Sequence, residues 1–290
     1  MVNNGLKENN IRMKFFTEDL YSEYNQKLKI KSIIAKKRSQ FQNILIFNSK
    51  VFGKVLTLDG VIQITEFDHY GYSEMLSHVP IVAHNSIKKV LIIGGGDGAI
   101  AHEVLKHKSI KEIILCEIDK EVINLSKKYL KNINFNSLEN SKVKIVIQDA
   151  SELISNNNFK NYFDLVIVDR PDPIGPGKKL FQKKFYKNIN NIISDKGVAV
   201  FQTGIPFFQK NELQNTVSFL KLFFQLYGIY LTVVPSYAGG FMALTWASNK
   251  IDISQINKKS NTTKLKTLYY STKIHNSAFI LPTWLINTIK

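Results

Sequence analysis

Val90-Leu91-Ile92-Ile93-Gly94-Gly95-Gly96-Asp97-Gly98-Ala99 is the stretch on which the fold turns. Its four apolar residues, without polar alternation, read as a short parallel strand buried on both faces. The glycines behind it permit a tight turn and let a ligand lie against the backbone. A helix is expected over Ile100 to Lys106. The chain then alternates: strand Glu112 to Cys116, helix Glu121 to Leu130, strands Val143 to Ile147 and Leu165 to Val168, a helix near Phe181 to Ile193, and strand Val198 to Gln202. Such alternation predicts a doubly wound α/β sheet, whose ligands bind at the carboxyl ends of strands where the strand order reverses.

Upstream the pattern changes. Ile30 to Ala35, Ile44 to Phe47 and Val51 to Leu58 are short and β-rich, and Asp59-Gly60 is a hairpin signal between Val55-Leu56 and Val61-Ile62. These predict a small antiparallel unit. Tyr72, Met75, Leu76 and Val79, spaced by threes and fours, predict a helix. Residues 1–12 are expected to fray, and the residue pattern alone puts the change of character near residue 85. Farther on, Phe219, Leu222, Phe223 and Leu226 have helical spacing and are expected in the core, as are Trp246 and Trp284.

The 290 residues are 44% hydrophobic and 21% charged, enough apolar material for a real core and too much for a disordered chain. One cysteine, Cys116, excludes a disulfide framework, and the histidines have no metal-ligand spacing. No apolar run has transmembrane length, and the N-terminus lacks a signal-peptide core, so a cytoplasmic protein without membrane attachment is expected. The net charge is +16, but only three of the basic residues are arginines: Arg12, Arg38 and Arg170. Nucleic-acid readers rely on Arg for bidentate contacts, so dispersed lysines predict a solvated basic surface rather than a nucleic-acid partner.

Three strand ends carry the chemistry. Glu117 lies 23 residues after Gly94, where an acid accepts hydrogen bonds from ribose hydroxyls. Asp149-Ala150, one strand later, offers a carboxylate and a backbone N–H to an adenine edge. The turn reads GxGxG with Asp97 inserted, and an acid there repels pyrophosphate. A cationic adenosine derivative such as a sulfonium suits these signs better than a dinucleotide. After the fourth strand comes Asp169-Arg170-Pro171-Asp172-Pro173-Ile174-Gly175-Pro176, two carboxylates on a proline-stiffened segment.

These pieces together resemble the polyamine aminopropyltransferases, above all the spermidine synthases. The resemblance rests on Leu58-Asp-Gly-Val-Ile-Gln63-Ile-Thr-Glu66, Ile92-Ile-Gly-Gly-Gly-Asp-Gly98, Glu117-Ile-Asp119, Asp172-Pro-Ile-Gly-Pro176, Tyr237-Ala-Gly-Gly240 and the Tyr269-Tyr270 tail, in unbroken order from about Phe15. It implies a Rossmann-like, class I methyltransferase-like domain over 67–290 behind an N-terminal β domain over 13–66, assembled as homodimers or homotetramers. The implied reaction moves the aminopropyl group of decarboxylated S-adenosylmethionine, a co-substrate, to putrescine, with no further cofactor and no metal. Another amine (agmatine, cadaverine or a carboxylated amine) is the alternative acceptor.

By position, the resemblance assigns Gln42, Asp97, Glu117, Asp149, Ala150 and Pro176 to the donor and its methylthioadenosine product. Asp169 would be the base. Tyr72, Ser73, Asp97, Asp172 and Tyr237 would join it around the acceptor. Three departures cluster near that acceptor: Phe67-Asp68-His69 in place of Arg-Asp-Glu, Ser73 in place of His or Gln, and Arg170 in place of a small residue. A cation beside a diamine site opposes binding, so Arg170 is expected to face solvent or pair with Asp68 or Glu66.

Overall fold

The computed structural model describes residues 15–155, 157–170, 175–260 and 262–289. Five antiparallel strands come first, in sequential order: β1 (Phe15–Tyr21), β2 (Tyr24–Arg38), β3 (Asn43–Ser49), β4 (Gly53–Leu58) and β5 (Val61–Thr65). Asp59 and Gly60 both take positive φ in the β4–β5 hairpin, as an Asp-Gly turn requires. β1 was not foreseen, and β2 is more than twice the length expected. The reason is composition: no residue of β2 is fully buried, and its lysines dilute the apolar signal.

The rest of the chain interleaves helices and strands: α1 (His69–His84), β6 (Lys89–Gly94), α2 (Ala99–Leu105), β7 (Glu112–Glu117), α3 (Lys120–Tyr129), α4 (Lys131–Asn134), β8 (Val143–Ile147), α5 (Ala150–Leu153), β9 (Phe163–Asp169), α6 (Lys183–Ile192), β10 (Ile193–Gln202), α7 (Lys210–Phe223), β11 (Leu226–Val233), β12 (Phe241–Ser248), α8 (Thr272–Ala278) and α9 (Thr283–Ile289). Their seven strands form one sheet in the order β8-β7-β6-β9-β10-β12-β11. The first five are parallel, and β12 runs antiparallel to both neighbours. The fold is therefore the expected Rossmann-like α/β sheet behind an antiparallel β unit. The strand order reverses between β6 and β9, which fixes where a crevice opens.

Period-two alternation divides the central strands between two cores. Val90, Ile92, Leu165, Ile167, Val198 and Val200 face α1 and α2. Leu91, Ile93, Val166, Val168, Ala199 and Phe201 face the opposite layer with α6. The N-terminal sheet docks through Ile44, Ile46, Leu56 and Ile64 onto Ala99, Val122, Leu130 and Ile133. Buried Glu74 on α1 ties down the tail by accepting the backbone N–H groups of Leu268, Tyr269 and Tyr270 at 2.7–2.9 Å.

The stripe expected at 219–226 is corrected. α7 ends at Phe223, Leu226 opens β11, and Leu222 is 58% exposed. The buried face is Leu213, Thr216 and Leu220: Leu213 packs with Ile229 of β11 and Leu285 of α9, the Thr216 hydroxyl meets that of Tyr186 on α6, and Leu220 joins the α6-side core. Among the described residues, no helix is long and apolar enough to cross a membrane.

Candidate active site

A cleft of about 370 Å³ lies at the carboxyl ends of β6, β7, β9 and β10, walled on its far side by β1 and β5. Glycine shapes its floor. Gly94 pairs in register with Asp169, and a Cβ on Gly94 would stand 1.9 Å from the Asp169 carbonyl oxygen. Any side chain there would push β6 and β9 apart at the point where the site opens. Gly96 likewise leaves room for the Glu117 carboxylate, which a Cβ would meet at 2.9 Å.

Asp97, Glu117 and Asp169 line this cleft together. The Asp97 carboxylate accepts from the Ala99 N–H at 2.7 Å, at the start of α2. Burial nevertheless raises its pKa. Glu117 Oε1 accepts from the Asp119 N–H at 2.9 Å. Burial, with the charges of Asp119 and Asp97, pushes Glu117 up to about 7. Asp169 is pushed up to about 7 by burial first and by the Asp97 charge second, against the hydrogen bond from Tyr72. Three crowded carboxyls with raised pKa values are poised for cations, whose arrival relieves both the desolvation and the repulsion.

The Tyr72 O–H donates to Asp169 Oδ1 at 2.5 Å. Burial and the Asp169 charge hold the Tyr72 pKa well above 10, so it remains a donor. Tyr237 lines the same cleft edge-on to Tyr72, and its O–H donates to the Gln63 carbonyl at 2.6 Å. Asp68 sets that arrangement from behind. It is buried and accepts from the Thr65 hydroxyl, the Ser236 N–H and the Ser236 hydroxyl at 2.6–3.0 Å. Gln42 also lines the cleft. Its Nε2 and the Ser39 hydroxyl both donate to Asp119, joining the N-terminal unit to the loop that carries Glu117.

Other expected residues stand differently. Asp149 and Ala150 line the cleft, but the Asp149 carboxylate already accepts from the Ser151 N–H and from exposed Lys179. Burial alone would raise its pKa; Lys179 and Ser151 bring it below the usual value. An exposed lysine pair of this kind is screened and weak, so it can exchange for another donor. Ser73 is not brought into the cleft: it is fully buried within α1, and its hydroxyl donates to the His69 carbonyl. Asp172 and the side chain of Pro176 lie outside the described residues.

Arg170 corrects its expectation. It neither faces solvent nor pairs with Asp68 or Glu66. Its side chain is buried on the side away from Asp169, with Nη1 donating to the Leu180 carbonyl and the Tyr186 hydroxyl, Nη2 to Thr216, and Nε to the Gln202 carbonyl. The guanidinium stacks 3.7 Å over the Phe181 ring, with Glu212 4.0 Å away as its nearest counter-charge. This follows from alternation: Asp169 faces the cleft, so its neighbour points to the opposite layer.

Glu18 and Gln202 are among the cleft residues that escaped the sequence reading. Glu18 on β1 is buried, accepts from the Ile62 N–H at 2.7 Å and from Gln26, and puts a further carboxylate in the cleft wall. Gln202 ends β10 beside Asp169. Nothing local could have revealed Glu18, since its strand was not recognised. Gln202 was visible as a polar residue closing an apolar strand. Among the described residues, no group of three or more His, Cys, Asp or Glu is arranged to hold a metal ion.

Comparison with known proteins gives the following. Residues 69–259 match the spermine/spermidine synthase domain, and residues 15–66 match the spermidine synthase tetramerisation domain. A polyamine aminopropyltransferase of Buchnera aphidicola subsp. Acyrthosiphon pisum is 41% identical over 281 residues, covering 95% of this chain and 98% of that protein. Its counterpart in a Ruegeria species is 40% identical, covering 92% and 95%. A spermidine synthase solved with the transition-state analogue AdoDATO superposes with a TM-score of 0.91 at 33% identity, covering 96% of this chain and 95% of that one. The spermidine synthase of Thermotoga maritima gives 0.90 at 33% identity, covering 96% and 94%.

Proposed function

Because this chain belongs to the spermine/spermidine synthase family and is a polyamine aminopropyltransferase, we propose that it transfers the aminopropyl group of decarboxylated S-adenosylmethionine to putrescine, giving spermidine and 5′-methylthioadenosine. The observation that carries this reading is the trio Asp97, Glu117 and Asp169, three crowded carboxyls at one strand-end cleft. The donor carries a sulfonium and an ammonium, and the acceptor carries two ammoniums. A cleft that must hold such charges needs uncompensated acids, and anionic substrates would be repelled from it.

In this account Glu117 holds the ribose hydroxyls and Asp97 the aminopropyl ammonium. Asp149 and Ala150 meet the adenine, Gln42 steadies the donor end, and Pro176 lines the adenine pocket. Tyr72, Tyr237 and Asp172 orient the diamine, with Glu18 as counter-charge for its far ammonium. Asp169 takes a proton from the near ammonium. For an amine of pKa ~10.4, deprotonation at pH 7 costs about 4.6 kcal/mol; desolvation in the cleft lowers the amine's pKa, and a carboxylate in hydrogen-bond reach takes the proton as the N–C bond forms. The freed lone pair attacks the carbon bonded to sulfur, the N–C bond forms, and the C–S electrons leave with a neutral thioether. The departing group needs no further activation, so alignment of nitrogen, carbon and sulfur supplies much of the rate. The tetramerisation-domain match of residues 15–66 supports assembly as a homo-oligomer.

Initial rates with decarboxylated donor and a panel of amines test the acceptor. Putrescine is expected to have the highest kcat/KM. Arg170 points away from the cleft, so it gives no reason for a carboxylated amine. A higher kcat/KM for agmatine, cadaverine or a carboxylated amine would replace putrescine in the proposal.

Two predictions arise here. Glu117→Gln is expected to weaken both donor and methylthioadenosine by roughly 10–100-fold, since a ribose contact is common to both and a hydrogen bond to a charged group is worth about 1.5–3 kcal/mol. Calorimetry with each ligand checks it, and unchanged product affinity would remove Glu117 from the ribose. The second is a pH profile. Asp169 acts as a base only when ionised, so kcat/KM for putrescine should rise with pH through about 7 and then level. If free amine were the true substrate instead, the rate would keep climbing about tenfold per unit toward the amine pKa of ~10.4.

A further inference from the structure

One buried side chain ties together three stretches of the cleft wall. Arg170 directly follows Asp169 at the end of β9, and its guanidinium is buried in the opposite layer. Nη1 donates to the Leu180 carbonyl at 2.6 Å, and Nε to the Gln202 carbonyl at 3.3 Å. Leu180 lies in the turn Gly175–Phe181, and Gln202 ends β10. Asp169, Leu180 and Gln202 all line the cleft, each on a separate element. Behind them the Tyr186 hydroxyl of α6 and that of Thr216 on α7 accept from the same guanidinium and bond each other at 3.0 Å.

Stability is a poor reason for a cation in this place. Arg stays charged, so its burial carries the full desolvation cost. Glu212, 4.0 Å away, is too distant for a hydrogen bond to repay it. Well-packed apolar residues in place of a buried ion pair are often as stable or more so. What an apolar side chain cannot supply is direction: N–H bonds in a rigid plane hold several acceptors at fixed angles. The turn Gly175–Phe181 needs such a hold. Its other ties include an exposed ion pair, Lys179 with Asp149, which is screened and weak, and the half-buried side chain of Leu180. That ion pair also shows where the turn sits. Lys179 Nζ lies 2.9 Å from the carboxylate that the donor's adenine would meet.

We propose that Arg170 is a positioning residue, its guanidinium setting the cleft wall at residues 177–180 against the ends of β9 and β10 and so shaping the adenine end of the donor site. The inference rests on the aminopropyl-transfer reading, which places the adenine there. Asp169 is held by other means, through register with Gly94 and the Tyr72 hydroxyl. Wall and base are therefore separable. Loss of the guanidinium loosens the nucleoside end and leaves the chemical step.

The test compares wild type, Arg170→Met and Arg170→Lys by calorimetry with methylthioadenosine, by initial rates and by thermal melts. Met keeps an apolar stem without donors, and Lys keeps the charge without the planar fork. Met is expected to weaken methylthioadenosine and to raise the donor KM by roughly tenfold each, and Lys by roughly fivefold. With both substrates saturating, kcat should stay within about threefold of the wild type, and so should the putrescine KM. A merely structural role gives the reverse split: a partly unfolded sample lowers kcat, while the KM values and the nucleoside affinity of its folded fraction hold. Should Met fail to fold, Lys decides alone. Methylthioadenosine affinity and donor KM within about twofold of the wild type, in a folded variant, would overturn the inference. A wild type that neither bound methylthioadenosine nor turned over would overturn the transfer reading, and this inference with it.

Discussion

Asp169→Asn is expected to lower turnover by roughly 10²–10⁴ while donor affinity stays within a few-fold, the ordinary worth of a positioned general base. The amide is nearly isosteric, and its oxygen can still accept from Tyr72 at the position Asp169 Oδ1 now holds. What disappears is the proton acceptor. The same variant should not melt below the wild type at pH 8. A carboxyl whose pKa rises from 3.8 unfolded to about 7 folded binds its proton more tightly in the fold. Stability is therefore lost as pH climbs between those values. Asn escapes that loss, so inactivity would come without unfolding. Rate assays, calorimetry and thermal melts read the three parts separately, and wild-type turnover would remove Asp169 as the base.

Asp97→Asn carries the second large effect. In the proposed complex Asp97 faces an ammonium on the decarboxylated donor, and in ordinary S-adenosylmethionine it would also face a carboxylate. Neutralising it removes an attraction from the first ligand and a repulsion from the second. The affinity ratio between the two should shrink by roughly 1–3 kcal/mol, about 5- to 150-fold. A linked effect has a definite sign. The Asp97 charge helps to raise the Asp169 pKa, so without it the acid limb of the rate profile moves to lower pH. Paired titrations with the two ligands give the ratio, and an unchanged ratio would exclude Asp97 from the donor site.

The architecture was legible where composition and burial agree. Val90 to Ile93 and Leu165 to Val168 are apolar because both their faces are covered, and the Gly94–Gly98 turn keeps glycine because strand β9 and Glu117 leave no room for a Cβ. β2 was obscured for the opposite reason, since an exposed strand rich in lysine carries little apolar contrast, and β1 because one of its two buried residues is the charged Glu18. The α7 stripe was misphased because phenylalanines flank the face that packs. The site was legible in its acids, since Asp97, Glu117, Asp149 and Asp169 all close strands or occupy the following turn. It was not legible where contacts are distant in sequence. Asp68 meets Ser236 across 168 residues, and Gln42 meets Asp119 across 77. Ser73 shows the converse, a family position whose small side chain turns back to its own helix. Arg170 could be placed away from the cleft by alternation alone, but its buried partners on α6, α7 and β10 could not be foreseen.

The central claim is that the aminopropyl carbon moves from sulfur to the nitrogen of putrescine. Decarboxylated S-adenosylmethionine bearing ¹³C only in its aminopropyl chain, incubated with putrescine and the purified protein, tests it by mass spectrometry of the products. The account predicts spermidine carrying all of the label and an equal amount of unlabelled 5′-methylthioadenosine, both lost in Asp169→Asn. Label retained in the nucleoside, or a methylated amine in place of spermidine, would contradict it.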